Sequence, residues 1–400
     1  MLECEGYPNL RDRKGPTLSR LALAALTGGV FLATSAGIAI APFLLAMAQD
    51  LQTDLALVGS LVAVSSVSWG IVSLVAGPTS DRLGRRPVLL AGLFVLGGSR
   101  VLLALAPSYP VAVLAQLIGG IGGGAYTTVM FAAVSDHVPS AERGRALGTV
   151  LNGQSLSFVF GVPLVTFVAN WLNWRGSIGL QGLAMLALLP PLWLTVPRGG
   201  HRGGEGPAAA ISLRAVLDRR LVALLGASAM ERGCFVAVAV YLATYLIATY
   251  AVSFTGLAVA LALVAAGNLV GNLLGGPLAD RVPDRPLAFA ASSLVTGVLA
   301  LPLLLWQPGL GGSIALGFLF TLANAVGRPA LMAALSEVPA GVRGAVLGLN
   351  TTTQSIGWLG AGAFGGWLIG QWGFGALAYF NAVAGVLGAG CGVAAAGRRR

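Results

Sequence analysis

The chain has little charge, and this shortage decides the class of protein. Only 10% of its 400 residues are charged, whereas 56% are hydrophobic and the mean hydropathy is +0.83. A soluble domain carries about 25% charged residues, so this chain cannot cover a water-facing surface. The composition therefore predicts an integral membrane protein. The net charge of +10 then reflects where basic residues lie relative to the bilayer and does not indicate a nucleic-acid partner.

The residue types that soluble chemistry needs are scarce as well. Cys4, Cys234 and Cys391 are too widely separated to suggest a disulfide framework or a metal site. Lys14 is the only lysine, which excludes a GxxxxGK phosphate loop and ATP hydrolysis by this chain. No nucleophile–base pair or metal-binding set is evident, so we expect neither an enzyme nor a bound cofactor.

Long apolar runs fill most of the sequence. A bilayer core of about 30 Å requires about 20 apolar residues of helix, and a helix satisfies its own backbone polar groups in lipid. Dividing the chain at charges and turn residues predicts twelve transmembrane helices. Their limits are 21–48, 55–76, 87–106, 110–134, 144–169, 175–196, 220–249, 254–278, 286–306, 311–335, 344–370 and 374–396.

The basic residues predict how these helices are oriented. Twenty of the 24 fall in the termini and in alternate loops, and only Arg175 falls in the other loops. Because cytoplasmic loops collect Lys and Arg, we expect both termini in the cytoplasm and a multi-pass location in the cell (plasma or inner) membrane. Arg100, Arg232 and Arg328 lie within the runs, and Arg100 is expected to reach the outer headgroups by snorkelling.

An internal repeat with an offset of about 200 residues divides the chain into two halves. GPTSDRLGRRP begins at residue 77, and GGPLADRVPDRP at 275–286 repeats its charged positions. Both halves start on the same side, so they form parallel repeats related by an axis along the membrane normal. The predicted segments are a cytoplasmic tail (1–20), a six-helix bundle (21–196), a cytoplasmic linker (197–219), a second six-helix bundle (220–396) and a basic cytoplasmic tail (397–400).

The segment GPTSDRLGRRP resembles the loop signature of the major facilitator superfamily, G-x-x-x-D-R-x-G-R-R. The predicted helix number, repeat and central linker are similar to that family along nearly the whole chain. The resemblance implies a gate that latches the cytoplasmic ends of the two bundles together, with Gly77 allowing the helix ends to approach closely. Its residues are Gly77, Asp81, Arg82, Gly84, Arg85 and Arg86, with a weaker second copy at Asp280 and Arg281.

The segment NGQSLSFVFGVP (152–163) resembles the glycine–proline element of exporters in this family. The similarity is greatest to arabinose-efflux-type permeases and drug–proton antiporters, and it implies a hinge or packing role for Gly153, Gly161 and Pro163. The fourth helix departs from the exporter pattern R-x-x-Q-G. Gln116 stands where the arginine that the family links to proton coupling is expected, and Gly119 where the glutamine is expected.

Charged residues inside a helix are functional candidates by default. Glu231 lies eleven residues beyond Arg220, about 16 Å along the helix and near the midplane. A carboxyl group in a low-dielectric cavity favours its neutral form, as a proton carrier requires. Glu231, Arg232 and Arg328 are therefore the proton-coupling candidates. The alternative is a structural ion pair in which Arg328 holds Glu231, or binding of an anionic substrate group by Arg328.

Uncharged polar residues in the helices are candidates for a substrate cavity. Their alternative role is hydrogen bonding between helices, at about 0.6 kcal/mol each. The candidates are Gln116, Tyr126, Asn152, Gln154, Asn268, Asn272, Asn324 and Gln354.

The sequence thus predicts an all-α secondary active transporter. It would export a small organic solute, either a drug-like amphiphile or a sugar, by alternating access coupled to proton influx. We expect a monomer in the lipid bilayer, with a small-molecule substrate, no nucleic acid and no cofactor other than the proton gradient. The alternatives are an uptake symporter or facilitator of a small metabolite, and a membrane sensor that has the same fold but does not transport.

Overall fold

The computed structural model describes residues 18–138, 143–197, 218–337 and 340–396. Within these ranges the secondary structure is helical, and no strand occurs in them. The all-α integral membrane fold that the sequence predicts is thus confirmed. The basic tail 397–400 and most of the predicted N-terminal tail and linker lie outside the described residues, and the domain limits stay predictions.

The helices of the first half are connected by very short segments. They are α1 (Arg20–Ile38), a 3₁₀ turn (Ala41–Phe43), α2 (Leu44–Asp50), α3 (Leu55–Leu83), α4 (Arg85–Ala104), α5 (Tyr109–His137), α6 (Arg143–Leu156), a π-helical turn (Ser157–Gly161), α7 (Val162–Ala187) and α8 (Leu189–Thr195).

The second half has a similar order of elements. They are α9 (Arg219–Tyr250), α10 (Phe254–Arg281), α11 (Arg285–Leu305), α12 (Gly309–Ser336), α13 (Ala340–Leu359), a π-helical turn (Gly360–Phe364), α14 (Gly365–Trp372) and α15 (Phe374–Ala395).

Polar residues at the ends of the apolar runs start several of these helices. The Asp54 side chain accepts a 2.7 Å hydrogen bond from the amide of Leu57 and caps α3. Ser19 and Ser253 cap α1 and α10 in the same way. Such caps satisfy amide groups that the first helical turn leaves without partners, which is why the helices begin where the apolar runs begin.

Ten segments of the described chain are long and apolar enough to cross a membrane. One of them, Ala146–Thr195, has 50 residues and a helical length of about 75 Å, more than twice the bilayer core. It bends at Asn173, whose φ of 51° and ψ of −173° interrupt α7. This segment is long enough for the two crossings predicted at 144–169 and 175–196, while the total of twelve stays a prediction.

The predicted loop at residues 77–86 is mostly helix, and this corrects the sequence interpretation. Helix α3 continues through Pro78 to Leu83, and α4 starts at Arg85. Gly84 alone makes the connection, with a φ of 94° that residues with a side chain rarely adopt. The motif therefore forms a tight corner between two helices, in which Asp81 and Arg85 face each other.

Two ends of the molecule can be distinguished by how the halves pack. The basic end holds residues 77–86 and the start of α9. The far end, opposite to it, holds Ala56, Tyr241 and Gly366, which lie against one another across the two halves. At the far end one hydrophobic core includes residues of both halves. Toward the basic end the buried residues form one core in the first half and another in the second.

A row of glycines lets α10 lie directly on α12. Gly267, Gly271 and Gly275 are spaced by four residues, so they share one face of the helix. A Cβ atom at these positions would come within 2.2, 2.5 and 2.5 Å of carbonyl oxygens of α12. This small-residue spacing brings helix backbones together in membranes.

Adding one methyl group to this row is expected to weaken the fold. Gly271→Ala should cost about 1–3 kcal/mol through overpacking, whereas a Cβ at Gly276 on the same helix meets nothing within 4 Å. Gly276→Ala should therefore be neutral or gain up to about 1 kcal/mol of helix propensity. Thermal unfolding in detergent, followed by tryptophan fluorescence, would compare the two, and equal unfolding temperatures would contradict the packing.

Candidate functional site

A buried ion pair lies in the middle of α9. Glu231 and Arg232 are each only 3% exposed, and Nη2 of Arg232 lies 3.2 Å from Oε2 of Glu231. The sequence left Arg328 open as an alternative partner of Glu231, whereas the ion pair in the structure is with Arg232. Neighbouring side chains on a helix point in different directions, but the long arginine side chain turns back to reach the preceding carboxylate.

The arginine of this pair is fixed by close packing. A Cβ at Gly357 of α13 would lie 2.9 Å from the Cβ of Arg232. On the other side the guanidinium lies 5.4 Å from the ring centroid of Phe235, within the range of a cation–π interaction. Gly357 therefore provides the space that the Arg232 side chain occupies.

Arg328 of α12 lies close enough to act electrostatically on this pair. Arg232 repels Arg328, and Glu231 attracts it. Arg328 is partly exposed, whereas the other two side chains are buried. Together the three groups carry two positive charges and one negative charge.

A small cavity of about 60 Å³ lies between the two halves. It has room for a few water molecules and is much smaller than the 300–1,000 Å³ typical of organic ligand sites. The first half contributes Ile38, Phe158 and Val162, and the second half contributes Phe235, Val238, Ala239, Leu242, Leu261, Val264, Ala265, Asn268 and Thr321.

Glu231, Arg232 and Arg328 form a charged cluster, which lies beside this cavity on the side of the basic end. Phe235 lines the cavity and lies three residues, or about one turn, from Arg232 on the same helix face. Thr321 also lines it and precedes Arg328 by seven residues, which is two turns. The faces of α9 and α12 that form the cavity therefore continue into the two arginines.

The polar cavity candidates fall into different surroundings. Asn268 lines the cavity, and Nδ2 of Asn272 donates a 3.0 Å hydrogen bond to its Oδ1. Gln116 instead donates to the carbonyl of Leu61 at 3.2 Å, which ties α5 to α3. Tyr126 is fully buried and donates to a carbonyl of α1, so both of these residues bridge helices within the first half.

The remaining cavity candidates are spread over three helices. Asn324 is buried in α12, one turn before Arg328 on the same face. Gln154 and Gln354 are partly exposed, and Asn152 is exposed. Of these four residues, Asn324 is the one that shares a helix face with an arginine of the charged cluster.

The gate residues of the first half bind one another. Arg85 forms ion pairs with Asp81 and, at 2.8 Å, with Asp136 of α5. Arg86 donates to the carbonyl of Trp193 and lies 4.3 Å from the centroid of its ring. A Cβ at Gly77 would meet nothing within 4 Å, so the close approach expected there does not occur in this conformation.

The second half has a matching network. Glu337 accepts from Arg220 and Arg285, each at 2.9 Å, while Asp280 and Arg281 are exposed. These ion pairs, like those of Arg85, join helices of one half. Sequence reasoning missed Asp136 and Glu337, although the sequence held a signal for them. The segment that begins at Ser135 is repeated from Ser336, and in each copy the acid directly follows the serine.

Tyr241 closes the far end and was also missed. Its side chain is fully buried and donates a hydrogen bond from its hydroxyl to the carbonyl of Gly362. A Cβ at Gly59 of α3 would meet the same hydroxyl. The tyrosine of the second half thus fits against glycines of both halves, and only its packing identifies it.

Arg100 does not reach the headgroups as expected. It is 2% exposed, and its Nε and Nη1 have no hydrogen-bond partner within the described residues. A Cβ at Gly182 would lie 2.9 Å from its Cβ, and one at Gly119 would lie 3.6 Å from Nη2. The two glycines open a space between α4, α5 and α7, so the arginine turns inward.

The hinge candidates lie at a change of helix type. Gly161 ends the π-helical turn and Pro163 follows it in α7, while a Cβ at Gly153 would lie 2.4 Å from the carbonyl of Thr27. The second half has its own π turn at Gly360–Phe364. The first turn packs against α10 and the second against α3, so each contacts the opposite half.

A scan against family models matches the Major Facilitator Superfamily over residues 26–362 and again over 235–400. The chain belongs to this family of membrane transporters, and the family and fold indicate a transporter that is not an enzyme. It is therefore a multi-pass membrane protein.

Several curated proteins are similar over part of their length. The chloramphenicol resistance protein of Streptomyces lividans is 24% identical over 66% of this chain and 67% of its own length. The gallate transporter of Pseudomonas putida is 33% identical over 45% and 39%. An uncharacterized transporter of Bacillus subtilis is 33% identical over 38% and 37%, so the chain spans well under two thirds of some of these relatives.

Solved structures are similar over almost the whole chain. A D-xylose–proton symporter has a TM-score of 0.74 at 20% identity, covering 92% of this chain and 96% of its own. A bacterial homologue of the human lysosomal transporter Spinster, in an inward-facing and occupied conformation, has a TM-score of 0.73 at 18% identity and covers 94% of both chains. At these identities the similarity shows the fold.

Proposed function

We propose that the chain moves a small organic solute across the cell membrane by alternating access and that Glu231 carries the coupled proton. The observation behind this proposal is the buried Glu231–Arg232 pair beside a cavity between the two halves. A carboxylate in such a position is costly unless it is paired. Glu231 therefore has two alternative states, one paired with Arg232 and one neutralised by a proton.

The packing of the two halves supports alternating access. One core joins the halves at the far end, and separate cores occupy the basic end. If the basic end is cytoplasmic, as the distribution of arginines predicts, this conformation is closed toward the outside. The gate residues would then contact the opposite half only in the alternative conformation. They are Asp81, Arg82 and Arg86 in the first half and Asp280 and Arg281 in the second.

The direction of transport has two candidates. Export of a drug-like amphiphile against proton influx is supported by the exporter-like segment around Gly161 and by the similarity to a chloramphenicol resistance protein. Uptake together with a proton is supported by the similarity to a gallate transporter and to the fold of a D-xylose–proton symporter.

Transport and coupling can be tested in one experiment. Purified protein in vesicles containing a pH-sensitive dye would be offered chloramphenicol, gallate and D-xylose in turn. We expect at least one solute to cause a pH change inside the vesicles that is absent from protein-free vesicles. Solute binding without flux would instead indicate a sensor, and flux without pH change would indicate a facilitator, so either result would overturn the proposed coupling.

A further inference from the structure

The charge beside the cavity indicates the chemical class of the solute. We infer that it is an organic acid whose carboxylate binds Arg328 with help from Arg232. This inference rests on the proposed function and names the substrate class of the same site.

The first step is that the site has more positive than negative charge. Arg232 and Arg328 face a single carboxylate, that of Glu231, and the ion pair of Glu231 is with Arg232. The other acids of the described ranges lie at helix ends or next to them: Asp50, Asp54, Asp81, Asp136, Asp218, Asp280, Asp284 and Glu337. Within the described residues, Glu231 is therefore the single carboxylate at this depth for the two arginines.

An arginine in this position is stabilised when an anion binds to it. A charge removed from water is costly without a partner, and Arg328 is repelled by Arg232 and forms no ion pair with a carboxylate within the described residues. The planar guanidinium forms two parallel hydrogen bonds with a carboxylate. A solute carboxylate would thus relieve the repulsion, whereas a cationic solute would add to it.

The position of Arg328 also allows a solute to reach it. Arg328 is partly exposed, while Glu231 and Arg232 are buried. The rings of Phe158 and Phe235 meet edge to face at the cavity, with centroids 5.7 Å apart. An acid with an apolar or aromatic body would contact these rings while its carboxylate binds the arginine.

This arrangement couples the proton and the acid in one direction. Protonation of Glu231 frees Arg232 and makes the cluster more positive, so the acid binds more tightly, and by linkage the acid favours the proton equally. Both then travel together, which selects uptake symport from the two candidate directions. The titratable or charged groups of the described residues that act on Glu231 are Arg232 and Cys234 of α9 and Arg328 of α12.

Binding by the purified full-length protein tests the inference. The probes are gallate, benzoate and lactate, each compared with its neutral primary amide. We expect at least one acid, and none of the amides, to raise the unfolding temperature. Arg328→Gln should weaken that acid by about tenfold to a hundredfold, and Arg328→Lys by less. Arg219→Gln removes an exposed arginine from the same half and should leave the affinity unchanged.

The outcomes separate this inference from the proposed function. The inference would be overturned if an amide stabilised the protein as much as its acid does, or if none of the acids stabilised it. Proton-coupled flux of a neutral or cationic solute that Arg328→Gln leaves unchanged would also overturn it, although the proposed function would then stand. Binding of an acid that depends on Arg328 but gives no flux in vesicles would support the acid site and overturn the proposed function.

Discussion

A disulfide between residues 63 and 362 is expected to stop transport completely. The two positions belong to opposite halves at the far end, and a Cβ at Gly362 would lie 3.6 Å from the Cβ of Ala63. Disulfides join Cβ atoms about 3.5–4.5 Å apart, so the variant Ala63→Cys/Gly362→Cys should oxidise readily. Because alternating access requires the far end to open, the oxidised protein should show only background flux, and a reducing agent should restore it.

This experiment needs a cysteine-free background and a matched control. The three native cysteines would be replaced by alanine, and the single variants Ala63→Cys and Gly362→Cys should transport normally with or without oxidant. For a crosslink within one half, Ser293→Cys/Gly388→Cys is suitable, since a Cβ at Gly388 would lie 3.6 Å from that of Ser293. Full flux through protein that is quantitatively crosslinked at 63 and 362 would contradict the two-half mechanism.

Replacing Glu231 by glutamine is expected to abolish proton-driven accumulation. Glutamine resembles the protonated carboxyl group but cannot release a proton, so solute should only equilibrate across the vesicle membrane when a pH gradient is imposed. The variant also leaves Arg232 buried without its ion pair, which should lower the free energy of unfolding by about 3–5 kcal/mol. Flux measurements with and without the gradient, together with thermal unfolding, would check both parts.

Two further variants distinguish coupling from stability. Glu231→Gln/Arg232→Gln removes both charges and should recover most of the lost stability without recovering accumulation. Asp54→Asn removes an exposed carboxylate, and because asparagine is an equally good helix cap, it should change neither quantity. Accumulation by Glu231→Gln at the wild-type level would exclude this carboxylate as the proton carrier.

The two predictions depend on different features of the molecule. The crosslink tests whether the shared core at the far end has to separate, and it needs no assumption about the driving ion. The glutamine variant tests the coupling group and needs no assumption about which end opens. If the crosslink stops flux but the wild-type protein does not accumulate solute under a pH gradient, the protein would be a facilitator that works by alternating access.

The sequence predicted the fold well because the bilayer imposes strong one-dimensional rules. Hydrophobic length, the position of arginines and the repeat at an offset of about 200 residues are all properties of the chain read from end to end. The motif residues Asp81 and Arg85 could likewise be recognised from spacing alone. The sequence did not show that Gly84 is the whole connection between two helices, because Pro78 reads as a helix end although α3 continues through it.

What the sequence by itself determined is that this is a helical membrane protein of the major facilitator type with a rare acid, Glu231, deep in one helix. Only the tertiary structure decided which arginine pairs with that acid, that Arg100 points inward, that Asp136 pairs with Arg85 at the basic end, and that Tyr241 packs between the halves at the far end. The physical reason is that hydropathy and spacing act along one helix. Side-chain partners depend on the rotation and close approach of several helices, and here glycines such as Gly357 and Gly182 set that approach.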